Sequence, residues 1–256
     1  MIILVYSGIL LVLSIIIGKS RGLRGIISLL FNFLIIVLSL ILINFGFNIY
    51  IISYLAFFTI SSIIIFYLNG YNVKTKSAYI GVIVVTIILN LIIYYLNYKL
   101  HIGSFSYEFT DEISAYSFNI DLKLEQIVFM VLLYICVGSI CDTSIAISSA
   151  LYEINNNANL TKKELFASSM NVGKDIIGTT VNTLVFSFVA GFIGYILWHN
   201  YDSLLELINY SGFVSEVVEL ICAIIGCLLI IPITSLIEIK FLKNNNFKKN
   251  KNRLQS

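Results

Sequence analysis

The sequence predicts an all-α protein, a polytopic membrane helix bundle of about seven transmembrane helices with its N-terminus outside and its C-terminus inside. Hydrophobic residues make up 59% of the 256 residues and charged residues 12%, the latter about half the share in a soluble globular protein. The apolar residues are grouped in runs of about 20, the length that a helix needs to cross a bilayer. This composition excludes a water-soluble domain, and the net charge of +2 gives no indication of a nucleic-acid partner.

Windows of about 19 residues predict the spans in order along the chain. Each span is apolar, and polar connections that contain glycine or charge separate most of them. The predicted spans are 2–17, 25–45, 49–68, 78–98, 126–150, 175–197 and 216–239. Together they define one domain, residues 1–240, followed by a basic cytoplasmic tail, residues 241–256, which we expect to be disordered near anionic headgroups.

The basic residues orient the predicted bundle. Fourteen of the sixteen Lys and Arg residues lie in the first, third and fifth connections or in the tail, which a chain of seven spans places on one side. Because basic residues are retained on the cytoplasmic side, this side faces the cytoplasm. Lys19, Arg21 and Arg24 follow the first apolar run instead of preceding it, so we expect an N-out anchor and not a cleaved signal peptide.

The fifth predicted span carries an acid where the bilayer makes it costly. Asp142 lies about 14 Å from the cytoplasmic end of this span, near the bilayer centre. Gly138, Ala146, Ser149 and Glu153 share its helical face, which allows a neighbouring helix to approach closely. An unpaired carboxylate at this depth costs about 2.5 to 3.5 kcal/mol on insertion scales, so Asp142 must be protonated, paired or hydrated.

Polar residues in the sixth span are predicted to pair with this acid. Asp175, Thr179, Asn182 and Thr183 recur at intervals of three and four residues, so they share one helical face. Asn182 and Thr183 lie about 11 and 12 Å inside the span, close to the depth predicted for Asp142. Since consecutive antiparallel helices usually pack together, we expect Asn182 or Thr183 to donate a hydrogen bond to the Asp142 carboxyl.

The connection between these two spans predicts a cytoplasmic turn followed by a short amphipathic helix. Thr161 and Glu164 have the spacing of a capping box. Leu165, Phe166 and Met170 supply an apolar face. We expect this helix to lie in the membrane interface.

The run GSICDTSIAISSALYEI at 138–154, followed by ELFASSMNVGKDIIGTTVNTL at 164–184, resembles the signature of the YibE/F family of bacterial multi-pass membrane proteins. RGLRGIISL at 21–29, Glu216, Gly226 and IPIT at 231–234 extend the resemblance over nearly the whole chain. The chain departs from the family pattern at Ala146, where the family has Ser, at Lys174, where it has Arg, and at Thr180-Val181, where it has Met-Thr. The resemblance implies a cell-membrane location and a second, related subunit as partner.

The arrangement of these polar residues is also similar to that in SecD/SecF and resistance-nodulation-division transporters. The shared features are an acid in mid-membrane, an acid at the cytoplasmic end of the same helix, a short cytoplasmic helix, and Thr and Asn entering the next helix. The resemblance implies a proton path formed by Asp142, Asn182, Thr183, Thr179, Asp175 and Glu153.

Two functions follow from the sequence. In the first, the protein is a transporter, permease or half-transporter, and Asp142 takes up and releases a proton as the helices move. In the second, it is a non-catalytic scaffold or accessory subunit, and Asp142 holds helices together by hydrogen bonds. Such bonds contribute only about 0.6 kcal/mol on average, so we favour transport.

We expect no enzyme activity and no cofactor. No histidine lies within a predicted span to serve a nucleophile, no second deep acid accompanies Asp142, and no phosphate-binding glycine loop is present. Neither cysteine pair, each five residues apart, shares a helical face, so we expect free buried thiols and no metal. These cysteines are Cys136, Cys141, Cys222 and Cys227.

Overall fold

The computed structural model describes residues 2–100, 124–158, 160–198, 204–209 and 211–253. Every regular element in these ranges is helical, which confirms the predicted all-α class. Six helices within them are long and apolar enough to cross a membrane. The elements are α1 (Ile2–Asn44), α2 (Ile49–Ser62) with a π-helical continuation (Ile63–Tyr67), α3 (Val73–Leu100), α4 (Leu124–Asn157), α5 (Lys162–Trp198), α6 (Leu204–Asn209) and α7 (Ser211–Arg253).

The first two predicted spans, 2–17 and 25–45, both lie in α1, so the predicted number of seven helices is not confirmed. However, α1 is interrupted at Lys19, whose φ of 47° and ψ of −129° are not helical. The carbonyl oxygen of Ser14 occupies the place where a Cβ on Gly22 would lie. Residues eight apart in a straight helix are separated by about 12 Å. The chain therefore bends back sharply at Lys19, and glycine at position 22 permits the close approach.

Short polar segments connect α1 to α2 and the π-helical segment to α3. Gly46 and Gly70 have φ of 87° and 75°, a left-handed conformation that glycine adopts without strain, and they follow α1 and the π-helical segment. The side chain of Asn48 accepts hydrogen bonds from the backbone N–H groups of Tyr50 and Ile51, at 3.0 and 3.4 Å, and so caps α2. Both connections are therefore tight turns between neighbouring helices.

The main core lies where α2, α3, α4 and α7 meet. Val82, Ile140 and Ile230 have no exposed surface. A Cβ on Gly226 of α7 would lie 2.8 Å from Cδ1 of Ile140 and 3.1 Å from Cδ1 of Leu89. The missing side chain therefore lets α7 approach both α3 and α4, as small residues do between membrane helices. By contrast, α1 and α5 leave most of their apolar surface exposed.

The segment predicted to be an interfacial helix is instead the first part of α5, which continues without a break into the predicted sixth span. The predicted capping box is confirmed: the N–H of Thr161 donates to Oε2 of Glu164 at 2.7 Å, and the N–H of Glu164 donates to Oγ1 of Thr161 at 3.4 Å. Leu165 is fully buried in a cluster with Leu151, Ile239 and Leu242. The apolar face of this segment therefore packs on α4 and α7.

Where the sequence predicts a disordered tail over 241–256, the backbone continues as helix to Arg253, an extension of α7. No glycine or proline occurs between Phe241 and Arg253 to end the helix. Residues 254–256 lie outside the described part of the chain.

Candidate functional site

Asp142 lies near the middle of α4, as predicted, but its side chain is exposed on the outer surface of the bundle. Asn182 and Thr183 of α5 are exposed as well. The Thr183 hydroxyl donates to the carbonyl oxygen of Thr179 at 2.9 Å, one turn earlier in its own helix. Within the described ranges neither residue donates to Asp142, so the predicted hydrogen bond is not formed.

The register of the two helices explains this difference. The predicted fifth span ends at 150 and the predicted sixth begins at 175, whereas α4 runs to Asn157 and α5 begins at Lys162. A Cβ on Gly173 of α5 would lie 3.6 Å from Cδ1 of Ile147 on α4, which places these two residues at the same depth. Asp142 lies five residues before Ile147 on α4, and Gly178 lies five residues after Gly173 on the antiparallel α5, so these two residues are at about the same depth. Asn182 lies roughly 6 Å beyond Gly178 along α5.

The rotation of α5 also separates the predicted partners. Ile176, Ile177 and Leu184 pack against the main core. Asp175 and Thr179 lie on the opposite side of the helix and are exposed. The Thr179 hydroxyl donates to the carbonyl oxygen of Ile176 at 3.0 Å. The polar face of α5 therefore points away from the core and leaves its side chains on the surface of the bundle.

The helical face of α4 that carries Asp142 also lies on the surface of the bundle. Glu153 is exposed like Asp142, and Gly138, Ala146 and Ser149 are partly exposed. Ideal Cβ atoms on Gly138 and on Gly178 of α5 would meet no described atom within 4 Å. The six predicted site residues thus line exposed polar faces of two neighbouring helices. We call these two faces together the α4–α5 outer face, defined by Gly138, Asp142, Ala146, Ser149 and Glu153 on α4 and by Asp175, Gly178, Thr179, Asn182 and Thr183 on α5.

A buried polar cluster that the sequence analysis missed lies on the inner side of α4, where α3, α4 and α7 meet. Glu238 of α7 has no exposed surface. Its Oε2 accepts hydrogen bonds from the hydroxyls of Ser77 and Ser148, the latter at 2.6 Å. The Ser148 hydroxyl also lies 2.7 Å from the carbonyl oxygen of Lys74 and 3.2 Å from the Ser77 hydroxyl. We call Lys74 O, Ser77, Ser148 and Glu238 the Glu238 cluster.

Further hydroxyl groups continue this polar contact one turn away. Ser144 of α4 lies one turn from Ser148, and Thr234 of α7 lies one turn from Glu238. Their hydroxyl oxygens are 3.0 Å apart, and the Ser144 hydroxyl donates to the carbonyl oxygen of Ala78 at 3.0 Å. A Cβ on Gly81 of α3 would collide with Oγ1 of Thr234. The three helices are therefore closely packed along a line of hydroxyl groups that ends at Glu238.

One signal in the sequence could have found this cluster. Ser144 with Ser148, and Thr234 with Glu238, are two pairs at a spacing of four residues inside apolar spans, which puts each pair on one helical face. Asp142 stands out in the sequence because it is central in its span. Glu238, one residue from the end of the span 216–239, was not singled out.

Metal chemistry finds no support in the part of the chain that the structure describes. No group of three or more His, Cys, Asp or Glu side chains lies there in an arrangement that could hold a metal ion. The four cysteines are free and buried.

The comparison with known proteins identifies one family. The model of the YibE/F-like protein family matches residues 6–244 of the chain. No curated protein matches, and no solved structure matches.

Proposed function

Because this chain belongs to the YibE/F family, whose signature its sequence carries, we propose that it is one half of a transporter or permease in the cell membrane. A second, related subunit covers the α4–α5 outer face, and a proton bound at Asp142 is coupled to the movement of the helices. One observation carries this proposal: Asp142 is an acid in the middle of an apolar helix and faces outward from the bundle. We expect no catalytic activity of this chain.

The energetic cost of this exposed acid supports a partner. A charged carboxylate facing lipid near mid-bilayer costs about 2.5 to 3.5 kcal/mol on insertion scales. Small residues leave room for a helix to approach, Gly138 and Ala146 on the same face of α4 and Gly178 at a similar depth on α5. Asn182 and Thr179 offer further polar contacts to a partner that also reaches the exposed face of α5. A partner helix on this face would remove the acid from lipid and supply hydrogen bonds to it.

The partner proposal predicts a specific crosslink. A photoreactive amino acid at Gly178 should crosslink the full-length protein to a related multi-pass chain in native membranes. The matched control is Leu29 of α1, which is also exposed in an apolar helix but lies outside the α4–α5 outer face, and should yield no such adduct. The adduct and the chains that co-purify after gentle extraction are identified by mass spectrometry. Monomer alone, or equal adducts from both positions, would contradict the proposal.

The proposal includes seven crossings, with the N-terminus outside and the C-terminus inside. The 43 residues of α1 would extend about 65 Å if straight, roughly twice the thickness of the hydrocarbon core. The sharp bend at Lys19 divides it into two segments, each of which is long enough for one crossing. The bend carries Lys19, Arg21 and Arg24, which the positive-inside rule retains in the cytoplasm.

Cysteine labelling tests this topology. In a background that lacks the four native cysteines, Phe47→Cys should react with an impermeant maleimide in intact cells, whereas Tyr71→Cys should react only after permeabilisation. Both positions are exposed, at 57% and 74%, and lie in tight turns. Ser20→Cys, beside the bend, should behave like Tyr71→Cys. The reverse labelling order would refute the orientation, and a Ser20→Cys that never reacts would refute the double crossing of α1.

The alternative function is a scaffold or accessory subunit, in which Asp142 holds the partner without exchanging a proton. The exposed polar face fits this alternative as well, because interhelical hydrogen bonds can join subunits. The two functions differ in whether the proton of Asp142 is needed, which substitutions at this residue decide.

A further inference from the structure

Glu238 is the described acid most fully enclosed by the bundle. It lies between two apolar clusters, one with Ile147, Ile230 and Ile231 on one side and one with Leu151 and Ile239 on the other. Its second carboxyl oxygen, Oε1, is buried and has no hydrogen-bond partner in the described part of the protein. An ionised carboxylate in this position would leave charge on an oxygen that nothing compensates.

One positive charge acts on Glu238 without forming an ion pair with it. Lys74 of α3 is the charged group that acts on Glu238, yet no ion pair between them is formed. The Lys74 ammonium lies instead over the ring of Tyr152 of α4, 5.8 Å from its centroid. On α7 the residues closing the site, Ile239 and Leu242, are apolar, and α5 contributes Leu165.

The Glu238 cluster has more short oxygen–oxygen contacts than hydroxyl hydrogens to fill them. The Ser148 oxygen lies 2.6 Å from Glu238 Oε2 and 2.7 Å from the carbonyl oxygen of Lys74, but a hydroxyl has only one hydrogen to donate. The Ser77 oxygen likewise contacts Glu238 Oε2 and lies 2.9 Å from the Lys74 carbonyl oxygen. If both hydroxyls donated to an ionised Glu238, their short contacts with the Lys74 carbonyl oxygen would have no hydrogen between the two oxygens.

One added proton leaves only the contact between Ser77 and the Lys74 carbonyl oxygen, within one turn of α3, without a hydrogen, and we propose that the Glu238 cluster is a proton-binding site in which Glu238 is a neutral carboxylic acid. The proton on Oε2 is donated to the oxygen of Ser148, whose own hydrogen is donated to the Lys74 carbonyl oxygen. The Ser77 hydroxyl donates to Oε2, which accepts it as the hydroxyl oxygen of the neutral acid. Oε1 then becomes the carbonyl oxygen of a neutral acid, for which a missing donor is far less costly than for a carboxylate.

The site goes beyond the proposed function, because it assigns a second proton to a different acid and does not depend on the partner subunit. Ser144 and Thr234 extend hydroxyl contacts from Glu238 along the interface of α3, α4 and α7. A movement of α7 against α4 would break the contact between Ser148 and Glu238 and expose the acid. The packing of three helices is thus linked to the occupancy of this site by a proton.

Infrared spectroscopy of the full-length protein in lipid bilayers tests the site directly. Wild-type protein near neutral pH should show the C=O stretch of a protonated carboxylic acid, with the downshift in D2O that an exchangeable acid proton gives. Asp142→Asn, which removes the other acid proposed to hold a proton, should retain this band, whereas Glu238→Gln added to Asp142→Asn should lose it. Ser148→Ala keeps the acid but removes its acceptor, and should therefore shift the band to higher frequency without abolishing it.

Thermal unfolding is the control that tests whether the Glu238→Gln variant is folded. Gln can donate from its amide nitrogen to Ser148 and keep a carbonyl oxygen, so Glu238→Gln should remain folded. Because the folded wild type holds a proton that the unfolded chain releases at neutral pH, its stability should fall as pH rises, and this slope should decrease in the Gln variant.

A spectrum of Asp142→Asn without the band, or a band that remains when Glu238→Gln is added to Asp142→Asn, would overturn the assignment. Loss of the band when Na⁺ replaces choline at constant pH would overturn it in favour of a metal cation. Neither result depends on the partner crosslink, so the failure of this site and the failure of the proposed function are distinguishable.

Discussion

Gly226→Leu is expected to prevent accumulation of folded protein in the membrane. A Cβ at this position would lie 2.8 and 3.0 Å from two side-chain carbons of Ile140 and 3.1 Å from Leu89, closer than ordinary van der Waals contact. Both neighbours are buried and belong to the helices that pack on α7. Inserting a side chain into a packed core typically costs about 1 to 3 kcal/mol, and Leu adds four carbons at a crossing with no space.

The matched control is Gly191→Leu, because a Cβ on Gly191 of α5 would meet no described atom within 4 Å. Both variants add the same apolar side chain to a membrane helix, so only the local packing differs. Membrane abundance and the size-exclusion profile of a fluorescent fusion measure the outcome. Wild-type behaviour of Gly226→Leu, or equal losses for both variants, would mean that α3, α4 and α7 do not cross as the structure places them.

Asp142→Asn is expected to leave abundance and assembly unchanged and to abolish function. Asn keeps the size and hydrogen-bonding capacity of the side chain but cannot carry a proton, so proton-coupled transport would stop while the partner contact persists. Asp142→Leu removes both the proton and the hydrogen bonds, although it is about 3 to 4 kcal/mol cheaper to insert than a charged Asp. The Leu variant should therefore reach the membrane and fail to assemble.

Complementation of the phenotype of the gene deletion, together with the Gly178 crosslink, measures these outcomes. Full complementation by Asp142→Asn would exclude proton coupling through Asp142, and the scaffold function would then replace transport. Normal crosslinking by Asp142→Leu would show that the acid does not hold the partner. The two substitutions thus separate the proton of Asp142 from its hydrogen bonds.

Part of the site could be predicted because helical periodicity depends only on the sequence. Asp142 and Glu153 do lie on one face of α4, and Asp175, Thr179 and Asn182 do lie on one face of α5. The prediction that these two faces meet was wrong, because periodicity does not indicate which face of a helix packs against its neighbours. Both faces of α4 carry small and hydroxyl residues, so composition does not indicate which one is turned inward. The neighbours of α4 decide this, and they select the face with Ser144 and Ser148.

The error in register had a local cause. The polar residues around 155–174 predict a boundary between spans, but Leu165 and Gly173 pack against α4 and α7 and extend α5 across this segment. Burial of an apolar face therefore outweighed the polar composition of the segment. The capping box at Thr161 was predicted correctly because it involves atoms only three residues apart.

The sequence by itself determined the all-α class, the apolar character of the helices, the family and the helical face on which each polar residue lies. These properties depend on composition and on separations of a few residues, which the periodicity of a helix converts into position. Only the tertiary structure decided that Ser77, Ser148 and Glu238 meet, since they come from helices whose residues are 71 and 90 positions apart in the chain. A helix can rotate about its axis and slide along it without any change in its sequence pattern. The packing of all its neighbours fixes both, so the buried acid became evident only once α3, α4 and α7 were in place.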